Sequence, residues 1–202
     1  MPAEPTTPGS DRGSDRGSDR GSTREAILAA ALAAFTEHTF GSTSMAVVAQ
    51  RAGVAVGSIY RHFPSKEALG NAVYQRWKRA VADRLRRDVD VDAPTREAFG
   101  QLWRSFIGFA AEHPDAFAFL EYQQHEEYLD DASNAVSTET FALAEEVLTR
   151  GQRAGAVRDV DVGLLLALAY GALVGLTRAM RDGLPPERMA EAEEAVWDLL
   201  RA

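Results

Sequence analysis

The chain of 202 residues is long enough for one large domain or two small ones, and 46% of its residues are hydrophobic, which is ample for a buried core. It contains no cysteine, so disulfide frameworks and cysteine-ligated metal sites are excluded. The net charge of −8 argues against a uniformly basic nucleic-acid binder, and the polar N-terminus has no secretory leader pattern, so we expect a cytoplasmic protein.

The charge is divided unevenly along the chain. Residues 23–87 carry ten Lys and Arg against four acidic residues, whereas residues 88–202 carry nine Arg against 22 acidic residues. A basic segment attached to an acidic one suggests a polyanionic partner for the basic part only. We therefore expect any nucleic-acid interface to lie within residues 23–87.

Residues 1–22 form a polar tail in which Gly-Ser-Asp-Arg repeats three times. The tail has too few apolar side chains to offset the entropy lost on ordering, so we predict that it is disordered. Its composition favours a solvated linker, and the alternative is an arginine arm that touches DNA through Arg12, Arg16 and Arg20.

The first predicted helix runs from Thr23 to His38. Ser22 and Glu25 match a Ser-x-x-Glu capping box, and apolar side chains at helical spacing extend to Phe35. We expect this helix to pack across the elements that follow it.

Residues 43–66 show the pattern of two short helices and the start of a third. Apolar side chains recur at the i, i+3, i+4 spacing from Met45 to Ala49, as on one face of a helix. Gly53 follows, where a helix end favours a residue that tolerates left-handed backbone angles. Pro64 ends the second helix, and Ser65 is placed to cap the next one. Two short helices joined by a tight turn with glycine are typical of a helix-turn-helix.

The sequence from residue 49 to residue 69 resembles the DNA-binding signature of the tetracycline-repressor (TetR) family of transcription regulators. The residues that carry the resemblance are Ala49, Ala52, Gly53, Val54, Gly57, Ser58, Ile59, Tyr60, His62, Phe63, Ser65, Lys66, Glu67 and Leu69. The resemblance implies an all-α fold. In that fold a three-helix DNA-binding domain with its linking helix occupies residues 23–87, and a helical effector-binding and dimerisation domain occupies residues 88–202.

The same resemblance implies how DNA is bound. The second helix of the motif enters the major groove, and two copies in a homodimer read the half-sites of a near-palindromic double-stranded operator. Tyr60, His62 and Lys66 match positions that contact phosphates, and Thr43 and Ser44 approach the backbone from the other side. The residues expected nearest the base edges are Val56, Gly57, Ser58 and Arg61.

The chain departs from the family pattern at Ala55 and Val56, where many members have Ser-Lys. The alanine removes a helix cap, and the valine removes a polar reader of bases. We therefore expect mostly phosphate contacts, so that affinity falls roughly 10³–10⁵-fold between 50 and 200 mM salt. The departure also supports an alternative, in which an all-helical small-molecule binding protein carries a degenerate DNA-binding head.

The remaining predicted helices are 66–87, 95–112, 116–128, 133–154, 162–181 and 187–200. We expect a solvated face for most of the basic residues of the first of these, which apart from Lys66 are Arg76, Lys78, Arg79, Arg84, Arg86 and Arg87. The helix 162–181 has an apolar run of about 15 residues, shorter than the roughly 20 that a membrane span needs, so we predict no membrane association and burial on all sides. The family resemblance implies dimerisation through the last two helices.

Aromatic residues of the C-terminal part are candidates for an effector cavity, although aromatics at helical spacing are also typical of a plain core. In the family, such a cavity holds a small molecule whose binding releases DNA, which implies a ligand-responsive regulator and, we expect, a repressor. The candidate lining residues are Trp103, Phe106, Phe117, Tyr122, His125, Phe141 and Tyr170.

We expect no cofactor, no metal site and no enzymatic activity. Glu121, His125 and Glu126 lie close in sequence, but metal sites usually need three or four ligands in suitable positions. The sequence lacks a phosphate loop, an HExxH motif and a nucleophile elbow. The expected partners are operator DNA, an unidentified small molecule and a second copy of the chain.

Overall fold

The computed structural model describes residues 14–185 and 187–202, with side chains from residue 21 onward. Every regular element in these ranges is an α-helix, which confirms the predicted all-α class. The helices are α1 (Ser14–Ser42), α2 (Met45–Ala52), α3 (Val56–His62), α4 (Lys66–Asp88), α5 (Thr95–Glu112), α6 (Pro114–Tyr122), α7 (Asp131–Arg153), α8 (Val162–Arg181) and α9 (Arg188–Leu200).

Local capping fixes the boundaries of the helix-turn-helix. The Ser44 hydroxyl accepts from the backbone N–H of Val47 at 3.3 Å and so caps α2. Gly53 ends α2 with φ 67°, a left-handed angle that glycine adopts without steric cost. The Ser65 hydroxyl accepts from the N–H of Ala68 at 3.1 Å and caps α4. The predicted boundaries of α2 and α4 are confirmed because these signals act over only a few residues.

Helix α1 starts earlier than predicted. Its backbone is helical from Ser14, so residues 14–22 are not the disordered tail that the composition predicts. A packed helix supplies the costly nucleus, after which each further residue adds a hydrogen bond and extends the helix at low cost. Residues 1–13, including Arg12, lie outside the described part, as do the side chains of Arg16 and Arg20. The regular helix breaks at Thr39, where φ is 66°, close to the predicted end.

Helix α4 holds the molecule together. It packs against α1 in the N-terminal head and against α5, α6 and α7 in the C-terminal part. Its buried face includes Leu69, Val73, Val81 and Leu85, which join one continuous apolar core. A shift of α4 is therefore felt in both halves of the molecule.

Helix α6 ends at Tyr122, whereas the sequence predicts a helix to Tyr128. Long-range contacts draw the following segment, residues 123–130, onto the head. The Gln123 amide donates to the carbonyl of Phe35 at 2.6 Å, and the ring of Tyr128 stacks on Phe40 with centroids 3.8 Å apart. These contacts join residues far apart in sequence, so local periodicity does not show them.

Gly70 makes this stacking possible. A Cβ at Gly70 would lie 2.7 Å from the ring of Phe40 and 2.8 Å from the ring of Tyr128, closer than carbon atoms approach. The absence of a side chain on α4 thus lets α1 and the 123–130 segment meet against it.

Helix α8 is more exposed than predicted. Within it Leu165, Leu173 and Thr177 are buried, but Leu164 and Leu168 are 51% and 44% exposed. An apolar composition predicts burial without saying whether the covering surface belongs to the same chain or to another. Among the described residues, α8 is also the one helix whose length and hydropathy would suffice to cross a membrane.

Candidate nucleic-acid interface and apolar cavity

Helix α3 presents one face to solvent. Ile59 and Phe63 are buried beneath it, and they orient the opposite side of the helix outward. Val56 is 40% exposed and Tyr60 is 51% exposed, so both side chains are accessible to a partner. Arg61 lies on the same exposed side of the helix.

Positive charge without a carboxylate partner collects beside this face. Within the described residues, Arg24, Arg61 and Lys66 form no ion pair, whereas Arg51 is neutralised by Glu37 at 2.6 Å. The Arg61 guanidinium donates instead to the Ser58 hydroxyl at 2.7 Å. This charge therefore remains available to an anionic partner.

Arg24 was not recognised in the sequence. Its guanidinium lies 5.2 Å from the centroid of the Phe63 ring, and it shares a surface groove with Ser58, Arg61 and His62. The contact joins α1 to the C-terminal end of α3. Only the basic character of residue 24, within the basic segment 23–87, hinted at this position.

Gly57 is exposed on α3 without an internal reason to be glycine. Its φ is not positive, and a Cβ added there would meet no described atom within 4 Å. Glycine within a helix costs roughly 0.5–1 kcal/mol relative to alanine. The small residue is therefore useful here only to a surface that approaches from outside.

Two predicted phosphate contacts have internal partners. Thr43 is buried, and its hydroxyl lies within hydrogen-bonding distance of the carbonyls of Ala34 and Thr39. Because the side chain is buried, it does not reach the surface, and we no longer assign Thr43 a phosphate contact. The Lys66 ammonium donates to the carbonyls of Phe40 and Gly41 at 3.1 and 3.3 Å, which leaves one of its three protons for another acceptor.

The remaining predicted contacts lie at the surface of the head. Ser44 is exposed although its hydroxyl caps α2, and His62 is half-buried at the end of α3. Ala55 gives α3 no side-chain cap, as predicted from its departure from the family pattern. No side-chain oxygen therefore occupies the N-terminal end of α3 as a cap.

A cavity of about 50 Å³ lies between α5, α7, α8 and α9. Four of the predicted effector residues line it, namely Trp103, Phe106, Phe141 and Tyr170. The other three lie elsewhere. Phe117 and Tyr122 pack against each other with ring centroids 5.9 Å apart, and His125 is buried near the head. The prediction that these three residues line the effector cavity is therefore wrong, and they belong to the packed interior.

A buried ion pair beside the cavity is not evident from the sequence. Lys78 of α4 is 4% exposed, and its ammonium lies 3.0 Å from the Glu121 carboxylate of α6. The prediction of a solvated face is therefore wrong for Lys78. The ammonium lies 5.4 Å from the centroid of the Phe141 ring, which borders the cavity. Glu121, as the partner of Lys78, is not free to ligate a metal.

His125 is held as a neutral ring. Its Nε2 lies 2.7 Å from the carbonyl of Phe119, which only accepts, so Nε2 carries the proton and Nδ1 accepts from the Tyr128 hydroxyl at 2.6 Å. Burial is the main cause that lowers the pKa of His125, and the nearby Lys78 ammonium lowers it further. Stability should therefore depend on pH through this residue.

We expect the free energy of unfolding to fall as the pH drops below about 6.5, the ordinary pKa of histidine. Because the pKa of His125 is lower in the folded chain, the unfolded chain binds more protons on this residue in this range, so acid favours unfolding. Urea denaturation from about pH 7.5 to about pH 5.5 should show a smaller decrease for His125→Gln than for the wild type. The control is His38→Gln, at an exposed ring. If both variants changed the pH dependence of the free energy of unfolding equally, the dependence would not be due to the burial of His125.

Comparison with known proteins agrees with this geometry. The family model described as "Bacterial regulatory proteins, tetR family" matches residues 27–73, and "Tetracyclin repressor-like, C-terminal domain" matches residues 74–202. The chain is 30% identical over 160 residues to the HTH-type transcriptional regulator UidR of Escherichia coli (strain K12), which covers 70% of this chain and 75% of that protein. It is 28% identical over 162 residues to the nucleoid occlusion factor SlmA of Vibrio vulnificus (strain YJ016), with coverage of 78% and 82%.

Solved structures share the fold. The crystal structure of a TetR family transcription regulator from Marinobacter aquaeolei VT8 superposes with a TM-score of 0.80 at 23% identity, over 92% of this chain and 98% of that one. The family models together extend from the helix-turn-helix to the end of the chain, and they meet inside α4. The chain therefore belongs to the tetracycline-repressor family of DNA-binding transcriptional regulators.

Proposed function

We propose that the protein is a cytoplasmic repressor that binds a near-palindromic operator as a homodimer and releases it when a small molecule enters the α5–α9 cavity. The observation that carries this proposal is the exposed face of α3, which borders the positive charge of Arg24 and Arg61. The functional division falls between residues 87 and 88, at the C-terminal end of the linking helix α4. We assign no catalytic step to the protein.

DNA binding places α3 in the major groove. Tyr60, His62, Ser44 and the remaining ammonium proton of Lys66 contact phosphates, and Arg24 adds a contact from α1. Val56, Gly57, Ser58 and Arg61 lie nearest the bases. The absence of a Cβ at Gly57 admits the edge of the groove, and Val56 is suited to a thymine methyl group. Affinity therefore comes mainly from phosphates.

Dimerisation uses the exposed stripe of α8. Leu164, Leu168, Gly171 and Gly175 follow the i, i+4, i+7, i+11 spacing of one helix face, and all four are exposed in the single chain. A Cβ at either glycine would meet no described atom within 4 Å, so a second helix has room to approach closely. Leu199 of α9, which is 41% exposed, extends the apolar surface.

Effector binding reaches the head through α4. A ligand that displaces Phe141 moves its ring towards Lys78 in the middle of α4. The N-terminal end of α4 carries Gly70, which packs against Phe40 of the head. Coupling between two such sites typically amounts to about 1–3 kcal/mol. The proposed release of DNA requires no more than this.

The DNA interface is tested by Arg61→Ala, measured by fluorescence anisotropy with DNA from upstream of the gene. We expect a loss of about 1.5–3 kcal/mol in binding, as for a hydrogen bond to a charged group. If Arg61 contacts phosphate, the slope of log K against log salt should also become shallower by about 0.9. If it reads a base, the slope stays and discrimination between sequences relaxes.

The matched control is Arg153→Ala, which removes an exposed arginine at the end of α7. It should leave operator affinity unchanged because it lies on the effector domain. Equal losses for the two variants would mean that overall charge, and not the α3 face, governs binding. Unchanged affinity for Arg61→Ala would contradict the proposed interface.

A further inference from the structure

The cavity between α5, α7, α8 and α9 has a nearly uniform apolar wall. Leu102, Leu148, Leu166 and Leu173 supply much of it, together with aromatic rings. Among the described residues that line it, Trp103 and Tyr170 alone have polar side-chain atoms. A ligand held here is therefore recognised by shape and by very few polar contacts.

Trp103 contributes a hydrogen-bond donor without an acceptor. The side chain is 3% exposed, and its indole Nε1–H has no partner among the described residues. Buried polar groups are almost always paired, and an unpaired one costs free energy until an acceptor reaches it. An indole N–H donates only, so the missing partner is an acceptor atom.

The charged groups around the cavity are already neutralised. Lys78 is paired with Glu121 at 3.0 Å. Arg96 and Arg104 of α5 share Glu193 at 2.8 and 3.1 Å, and Arg96 also pairs with Glu194. No further ionisable side chain apart from the phenol of Tyr170 lies in the described wall. A charged ligand would thus enter an apolar space without a counter-ion, which is strongly unfavourable.

A water molecule does not satisfy the donor well. Buried waters usually make two to four hydrogen bonds, but this wall has only Trp103 and Tyr170 to bond to. An apolar molecule with one acceptor oxygen needs a single such bond and fills the rest of the space with hydrocarbon.

We infer that the effector is an uncharged, largely apolar molecule with a carbonyl or ether oxygen, and that this oxygen accepts a hydrogen bond from Nε1–H of Trp103. The inference rests on the proposed function of the same cavity. A volume of about 50 Å³ is well below the roughly 300–1,000 Å³ of ligand sites, so the surrounding helices separate on binding.

The test uses matched probes on three ring scaffolds, cyclohexane, indane and decalin, each as the hydrocarbon, the ketone and the carboxylate. Titration calorimetry on the full chain should show each ketone that fits binding roughly tenfold more tightly than its hydrocarbon, and the carboxylates not binding. Trp103→Phe should abolish this preference. The control Trp77→Phe, at a tryptophan outside the cavity wall, should retain it.

A second readout follows the donor itself. In protein with ¹⁵N-labelled tryptophan, the ketone should shift the Nε1–H resonance that is missing from the Trp103→Phe spectrum. Equal binding of ketones and hydrocarbons, preferred binding of carboxylates, or binding of no ketone would overturn the inference. Operator release, measured separately by anisotropy, distinguishes the two proposals. A ketone that binds through Trp103 without releasing DNA contradicts the effector function alone, and release by a carboxylate contradicts the ligand class alone.

Discussion

Leu168→Glu in α8 is expected to convert the dimer into a monomer and to weaken operator binding roughly 10²–10⁴-fold. Leu168 lies in the middle of the exposed stripe, and 44% of it is exposed in the single chain. A two-fold interface presents the same patch from both subunits, so one substitution removes two leucines and introduces two carboxylates. Because only 44% of each leucine remains to be buried, the two together contribute roughly 1–3 kcal/mol.

The effect on DNA follows from the two half-sites. A monomer retains an intact α3 but binds one half-site at a time, so it loses the gain from linked binding, which is about 10²–10⁴ in affinity. Analytical ultracentrifugation gives the oligomeric state, and anisotropy on full and half operators gives the two affinities. The half-site affinity should be unchanged, because the head is far from the substitution in the chain and packs on other helices.

Ala111→Glu serves as the control for Leu168→Glu. It places the same carboxylate on an exposed alanine near the end of α5, outside α8 and α9. This variant should stay dimeric and bind the full operator normally. If Leu168→Glu also remains dimeric, the interface lies on another face, and the proposed role of the α8 stripe fails.

The sequence predicts the helix-turn-helix well because its signals are local. The capping signals act within one helical turn of their own position. Both ends of α2 and the start of α4 lie where Ser44, Gly53 and Ser65 predict them. The end of α6 and the start of α1 were not predicted. Gln123 responds to a contact with a residue distant in sequence, whereas α1 extends towards its N-terminus by propagation from its packed part.

The effector region is harder to predict for the same reason. Phe117 and Phe141 have similar sequence patterns, but only Phe141 reaches the cavity. The burial of Lys78 depends on Glu121, which is 43 residues away in the chain. The exposure of Leu164 and Leu168 in α8 does not follow from the apolar composition of that helix. Helical periodicity identifies an apolar face in each case, but it does not identify what covers that face.

Lys78→Met is expected to destabilise the fold by about 3–5 kcal/mol, because it leaves the Glu121 carboxylate buried without its cation. The side chains of Lys78 and Glu121 are only 5% and 11% exposed, so water does not replace the lost partner. The double variant Lys78→Met/Glu121→Leu removes both charges and should regain most of the loss. Urea denaturation of both variants and of the wild type measures these differences.

Arg79→Met is the control on α4, since Arg79 is exposed and the change should stay within about 0.5 kcal/mol. If the double variant were no more stable than Lys78→Met, the loss would reflect the packing of the lysine stem and not an unpaired charge.

The double variant also separates stability from signalling. It keeps α3 and should bind the operator, but the ion pair that joins α4 to α6 beside Phe141 is gone. A ligand that still binds the cavity should then release DNA less effectively, because Phe141 of the cavity wall has lost its contact with the Lys78 ammonium of α4.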